Sequence, residues 1–438
     1  MTPTELARGF TQESFEAFLA DRQEPDWSIA RRREAWSRFC DTPLPDRSLE
    51  EWMRTDIRGF KLEQYTLPSS HGEAASCRSP GSLLREAVEV SAATTTIDSQ
   101  HGELLIDPKL AAQGVLFGSL DRLLAEHGDL LRPYLFAAVD GQADKFAALH
   151  AACWSGGTLL YVPRGVVVEH PIHMLSVLSP RGVDLGHALI VLGEGAEATV
   201  LAETASIEAS AAGLHCGAVE LHVASRARLR YVNLQNWGTG VWHFAHQRAL
   251  VGQDATLQWT IGALGSRLAK VNQHVALVGR GADAQVNGVM FTEGKQHLSY
   301  HTLQHHQASQ CTSDLLYKGA LQDQSRLVWR GMIKVDHDAQ QTDGYQRDDN
   351  LILSDKARAD SIPGLEIEAD DVKCSHGATA GRVDEDQIFY ACCRGLTRKE
   401  ATRMIVAGFF QQVFDRITIE SVRVALGEAI GRRVREYH

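Results

Sequence analysis

The chain has 438 residues, 44% of them hydrophobic and 23% charged, the composition of an ordinary globular protein with room for a sizeable core. Its formal charge of −11 contains no long acidic or basic block, which argues against a nucleic-acid surface built from clustered Lys and Arg. The longest uncharged stretch, Phe146 to Pro163, is broken by His150, Ser155, Gly156, Gly157 and Thr158, so it reads as a helix end, a turn and a strand rather than a membrane span.

The N-terminal twenty residues mix acids with apolar residues, lack the order of a signal peptide and read as a helix. Ile29, Trp36 and Phe39 have helical spacing, the run Arg31, Arg32, Arg33 reads as a solvated helix face, and Ser48 to Glu51 has the form of a capping box. From Thr66 to about Ile97 the text is loop-like, with Pro68, Gly72, Pro80, Gly81 and a Ser/Ala/Thr-rich run over 91 to 96. A second helical segment, from about Ser119 to Cys153, stops at Gly156 and Gly157, giving an N-terminal helical region with a loop-rich segment over 1–157.

From Thr158 the pattern changes to short β-branched and apolar runs, with no amphipathic helix for over 200 residues. A degenerate phrase recurs in it, and aligning Ala196, Ala227, Ala255, Ala282 and Ala339 gives intervals of 31, 28, 27 and 57, the last close to two repeats. A small residue between strands at this spacing predicts a coil that turns once per repeat, laying each strand about 4.8 Å from its predecessor. A β-solenoid core over 158–383 is therefore expected, a sandwich being the competing architecture. Residues 384–438 return to helix signals, with cap-like openings at Asp384 and Thr397. Val406, Phe410, Val413, Phe414 and Ile417 form one apolar face, and Ala401, Ile405 and Phe409 a second, so the segment must be covered on more than one side, by the solenoid's open end or by a partner.

Three groups of residues could carry chemistry. His297, His301, His305 and His306 lie in the β text without an HExxH or CxxC to complete a zinc set, and polar side chains on the outer face are the preferred reading. The acidic run from Lys334 to Asn350 could bind Ca²⁺ as in polyuronate lyases, although solvated turns suit it better. In DDVKCSHGAT, Cys374 and His376 fall on one face of a strand, where thiolate and imidazole could share a metal ion or polarise one another; a small buried Cys is the plain alternative. The eight cysteines show no CxxC pairs, and reduced thiols in the cytoplasm are expected.

The run from Leu327 to Leu396, followed by EATRMIVAGFF over 400 to 410, closely resembles the C-terminal half of the SufB/SufD family, iron-sulfur cluster assembly scaffold proteins of the Suf system. Cys374-Ser-His-Gly-Ala-Thr379 is most similar to SufD, since SufB typically has Glu-His-Glu-Ala-Thr there. The resemblance implies a right-handed parallel β-helix between helical regions, and a cytoplasmic, non-catalytic subunit of a SufBCD complex. It implies pairing with SufB through the end of the β-helix and with the SufC ABC-type ATPase through the C-terminal helices, for which Phe409, Phe410, Val413 and Phe414 are the candidate contacts. His376 matches a histidine that helps hold the nascent cluster opposite a SufB cysteine, and Cys374 a neighbour of lesser importance. No permanently bound cofactor is implied, only a transient iron-sulfur cluster shared with SufB. Homodimers of the isolated chain are compatible with this reading; nucleic-acid and membrane partners are not part of it. A β-helix carbohydrate-active enzyme, or a purely structural subunit without cluster ligands, are the alternatives.

Overall fold

The computed structural model describes residues 9–68, 81–85 and 88–435; Gly72, Cys77 and Pro80 lie outside them. The N-terminal region contains α1 (Gln12–Ala20), α2 (Asp26–Asp41), the hairpin β1 (Ala92–Ile97) and β2 (Gln100–Ile106), then α3 (Pro108–Ala112), β3 (Leu116–Ser119), α4 (Leu120–Leu131) and α5 (Lys145–Cys153). The β text forms β4 (Thr158–Val162), β5 (Ile172–Leu178), β6 (Val183–Asp184), β7 (His187–Leu192), β8 (Glu197–Ser206), β9 (Ala212–Val223) and β10 (Arg228–Asn236). It continues through β11 (Gly240–Val251), β12 (Thr256–Ala263), β13 (Leu268–Leu277), β14 (Asp283–Thr292) and β15 (His297–His306). Last come β16 (Thr312–Leu321), β17 (Arg326–Val335), β18 (Thr342–Ile352), β19 (Arg358–Ile367) and β20 (Val372–Arg382). The chain ends in α6 (Glu385–Cys393), α7 (Arg398–Phe414) and α8 (Glu420–Arg433).

The strands make two ten-member walls, β2-β1-β5-β8-β10-β12-β14-β16-β18-β20 and β19-β17-β15-β13-β11-β9-β7-β4-β3 with β6 on β9, and the chain alternates between them. This is the expected parallel β-solenoid, and not a sandwich. Its corners carry the repeat: Ala196, Ala227, Ala255 and Ala282 are completely buried, and Cys311, equally buried, fills the corner that the alanine series skips. A larger side chain there would press on the neighbouring coil. Inside, residues stack in register from coil to coil, as in Tyr231, Trp259, Val286 and Leu315.

The two ends differ. At the first, β2 runs antiparallel to β1 and β3 antiparallel to β4, so the parallel ladder stops there with an antiparallel outer strand on each wall. At the last, β19 and β20 have no further neighbour. The helices sit elsewhere: α7 and α8 lie along the outer face of the β14 and β16 wall, where Phe410, Val413 and Leu426 join one core with Val289, Phe291 and Leu316. The N-terminal helices cover the other wall, with Phe146 stacked on Phe244 at 3.7 Å. The C-terminal helices therefore cover a wall and leave the open end bare.

Buried carboxylates fasten the N-terminal region to the coil. Glu220 on β9 accepts backbone N–H groups of Phe136, Ala138 and Val139 at 2.6, 2.7 and 2.9 Å, and meets His187 Nε2 at 3.0 Å. Glu203 on β8 accepts from Leu83 and Leu84 in the same way. Three sequence expectations change. The run over 91 to 96 is mostly strand β1, paired in parallel with β5, because its Thr and Ala side chains suit a strand and its register continues the first coil. Ser48 starts no helix, since its N–H and hydroxyl both donate to Asp46, at 2.7 and 2.5 Å, leaving a series of turns. Arg32 is not on a solvated face; it is 1% exposed, bound to Glu24 at 2.7 Å and to the carbonyls of Ala152 and Trp154.

Candidate functional site

Cys374 and His376 lie on β20, the bare edge. Register places Cys374 beside Gly344 and His376 beside Gln346, and Gln346 continues the inward column of Tyr231, Trp259, Val286 and Leu315. His376 therefore tops an inner column at the mouth of the solenoid. It is exposed because no coil follows, and it makes no hydrogen bond among the described residues. Cys374 is half-buried against Ile333, Val335, Ala339 and Ala369, and burial raises its thiol above the ordinary value, which favours the protonated form. Gly344 makes room for it: a Cβ there would stand 3.3 Å from Cys374 Sγ and 3.5 Å from His306 Nε2.

The mouth has a polar floor that inspection of the sequence missed. Gln346 and Asp348 are fully buried, and Asp348 Oδ2 accepts from Asn350 Nδ2 at 2.6 Å and Ser361 Oγ at 2.5 Å. Asp348 Oδ1, Gln346 Oε1 and Asn350 Oδ1 have no donor among the described residues. Burial pushes the Asp348 carboxyl up to about 7, poising it to hold or give up a proton near neutrality. The signal was parity: Gln346, Asp348 and Asn350 share the inward face with Gly344, where the earlier coils place apolar residues. The rim is apolar. Leu365 and Ile367 of β19 stack on Ile333 and Val335 and are 37% and 40% exposed only for want of a coil above them.

The other candidates separate. His297, His301 and His305 take the outward face of β15, whereas His306, one residue out of phase, points inward and meets Ser313 Oγ at 2.8 Å. The acidic run does not converge: Asp336 pairs with His305, Asp338 with His337, and Asp349 with Lys318 and Arg347, while Asp348 is inside. Among the described residues no three of His, Cys, Asp or Glu come together as a metal-holding group, so Cys374 and His376 are at most part of a ligand set. Of the tail residues, Phe410 and Val413 are completely buried inside the chain's own core, Phe409 and Phe414 partly so. Their regular spacing marks the face that packs on the solenoid. The large apolar side chains of the tail turned outward are Phe389 and Tyr390 on α6, 70% and 61% exposed, Met404 on α7, 53% exposed, and Val424 on α8, 53% exposed.

The geometry is that of a parallel solenoid whose last coil is uncovered and carries a Cys and a His on its edge strand. Comparison with known proteins gives the family: the SufBD core domain of the SUF FeS cluster assembly system matches residues 177–409, and the SufBD protein N-terminal region matches residues 16–174. The chain belongs to the SufBD family of iron-sulfur cluster assembly proteins. It is similar to an iron-sulfur cluster assembly SufBD family protein of Staphylococcus epidermidis, 27% identical over 426 residues that cover 94% of this chain and 90% of the relative. It is similar also to iron-sulfur cluster assembly protein SufB of Bacillus subtilis, 26% identical over 427 residues with the same coverage. No helix among the described residues is long and apolar enough to cross a membrane.

Proposed function

We propose that this chain is the SufD-type, non-catalytic subunit of a complex with a SufB-like solenoid and a SufC-like ABC ATPase, working in the cytoplasm. The observation that carries the reading is the inward column ending in His376 on an unpaired edge strand, where a second solenoid end would bring its own side chains opposite the imidazole. The nascent cluster is then cargo held between two chains. A mixed site in which imidazole replaces a thiolate suits transient holding, since His is an accepted ligand of [2Fe-2S] iron. His376→Ala is expected to reduce cluster assembly in cells severalfold while the complex still co-purifies. Full assembly with an intact complex would remove His376 from the site and leave the purely structural reading.

The C-terminal helices offer the ATPase a surface at Phe389, Tyr390 and Met404 in place of the buried Phe410 and Val413. A physical link runs from there to the mouth. The Lys318 ammonium lies 4.6 Å over the Phe409 ring of α7 and 3.6 Å from Asp349, which accepts Thr379 Oγ1 of β20 at 2.6 Å. ATP-driven movement of α7 would in this way strain the strand that carries His376. Phe389→Glu with Met404→Glu is expected to weaken ATPase co-purification about tenfold or more with the thermal midpoint unchanged, because both side chains are already in water. Phe410→Ala, by contrast, should cost about 3–5 kcal/mol of stability. Wild-type binding by the double variant would move the ATPase to another face.

A further inference from the structure

A cleft lies on the wall opposite the one that carries β20, between the loop Asp56 to Gly59 and the starts of three successive strands, β11, β13 and β15, the last of them two coils short of the edge strand β19. Its volume is about 540 Å³, and Trp242, Leu268, Arg267, Lys295 and His297 line its coil side. Trp242, Leu268 and His297 stand in one register column, so Arg267 and Lys295, just ahead of Leu268 and His297, project from adjacent coils about 4.8 Å apart.

The charges here are uncompensated. Asp56 is the cleft's one carboxylate, and Arg58 occupies it through a bidentate pair at 2.6 and 3.0 Å. Arg267 and Lys295 have no carboxylate partner among the described residues. The Arg267 guanidinium is held in place by stacking 4.9 Å over the ring of Trp242, which is itself 6% exposed and wedged edge-on against Phe60 at 5.4 Å. The loop approaches the guanidinium to ordinary contact, a Cβ on Gly59 standing 3.5 Å from the Arg267 Nη2. His297 Nε2 is buried and has no partner. The chain as a whole carries −11, so its long-range field repels anions, and any anion held here must be held by these local groups.

We propose that this cleft binds a small phosphorylated molecule, its phosphate held between Arg267 and Lys295 with His297 beneath. A planar guanidinium fixed on an aromatic face presents paired N–H donors to phosphate oxygens, and an ammonium from the next coil supplies a second, mobile charge. Burial and the neighbouring Arg326 push His297 down to about 4, so it lines the cleft as a neutral ring. The cleft is far larger than a phosphate group and falls within the roughly 300–1,000 Å³ of small-molecule sites, which leaves room for an organic remainder against Leu268 and Gly59. The site is independent of the cluster-assembly reading, because none of its residues lies on β20 or in the C-terminal helices.

The test is titration calorimetry on the full chain with inorganic phosphate and with AMP, at matched ionic strength, against the Arg267→Gln/Lys295→Gln variant. Both side chains are solvent-exposed, so the variant should fold normally, which circular dichroism and an unchanged thermal midpoint without ligand would verify. Saturable binding of at least one probe, about tenfold or more weaker in the variant, is the expected result. Binding of AMP alone or much more tightly would assign the site to phosphate esters; equal binding of bare phosphate would assign it to the free ion. No saturable heat from either probe, or the same affinity in the variant, would overturn the proposal.

Discussion

Glu220→Ala is expected to destabilise the chain by about 3–5 kcal/mol, the range for removing one partner of a buried charged pair. The substitution leaves three backbone N–H groups, those of Phe136, Ala138 and Val139, without their acceptor. It also cuts a buried hydrogen-bond network. His150 Nδ1 meets the Cys216 carbonyl at 3.0 Å, His150 Nε2 meets His187 Nδ1 at 3.1 Å, and His187 Nε2 meets Glu220 at 3.0 Å. The substitution removes the last acceptor of this buried chain of hydrogen bonds, whose members polarise one another.

The pH dependence follows from Glu220. Burial alone would raise its carboxyl, but the His187 contact and the backbone donors outweigh burial and hold it below its ordinary 4.5. Its contribution is therefore complete above the unfolded value and is lost as pH falls through the lower folded value. Urea midpoints at neutral and acid pH check this. Glu220→Ala should shift the neutral midpoint strongly, and Glu220→Gln, which keeps an acceptor but no charge, should fall between. A wild-type midpoint in Glu220→Ala would show that the fastening is not where the stability lies.

Leu365→Lys with Ile367→Lys is expected to weaken end-to-end pairing with a SufB-like chain about 100-fold or more, as befits two apolar anchors at the centre of an interface. Both side chains point along the inward direction, where each earlier coil is covered by the next, and they stop at solvent. Pairing would cover them; charges would have to be buried with them. In the isolated chain the new ammonium groups can reach water, so the fold should survive. Sedimentation of the mixed chains reads the effect. Undiminished association would place the interface on another surface.

The coil was legible because its physics is periodic. A small residue every 28 or so positions marked the corners, and even the gap in that series was a real corner, filled by Cys311. The place of His376 on a strand could be read because strand parity and family resemblance met at one residue. The floor beneath it could not, since Asp348 reads as one more acid in a turn-like run until its register with Tyr317 and Ala378 is known. The tail misled for the opposite reason. Phe410 and Val413 repeat at helical spacing because they face the solenoid, whereas Phe389 and Tyr390, which do face solvent, belong to no repeat. Periodicity reports what a chain buries in itself; a surface kept for another molecule need not be periodic.

The unequal ends of the coil set a limit on how these chains can add together. A rod with sticky edges at both ends would grow into a fibre, each joint creating the template for the next. Here the parallel ladder turns antiparallel at the first end, so the two ends present different templates, and two rods that meet at their last coils do not recreate that template outward. Joining through the last coil would therefore stop at two, and the single joint so formed would lie where this chain presents the inner column that His376 completes.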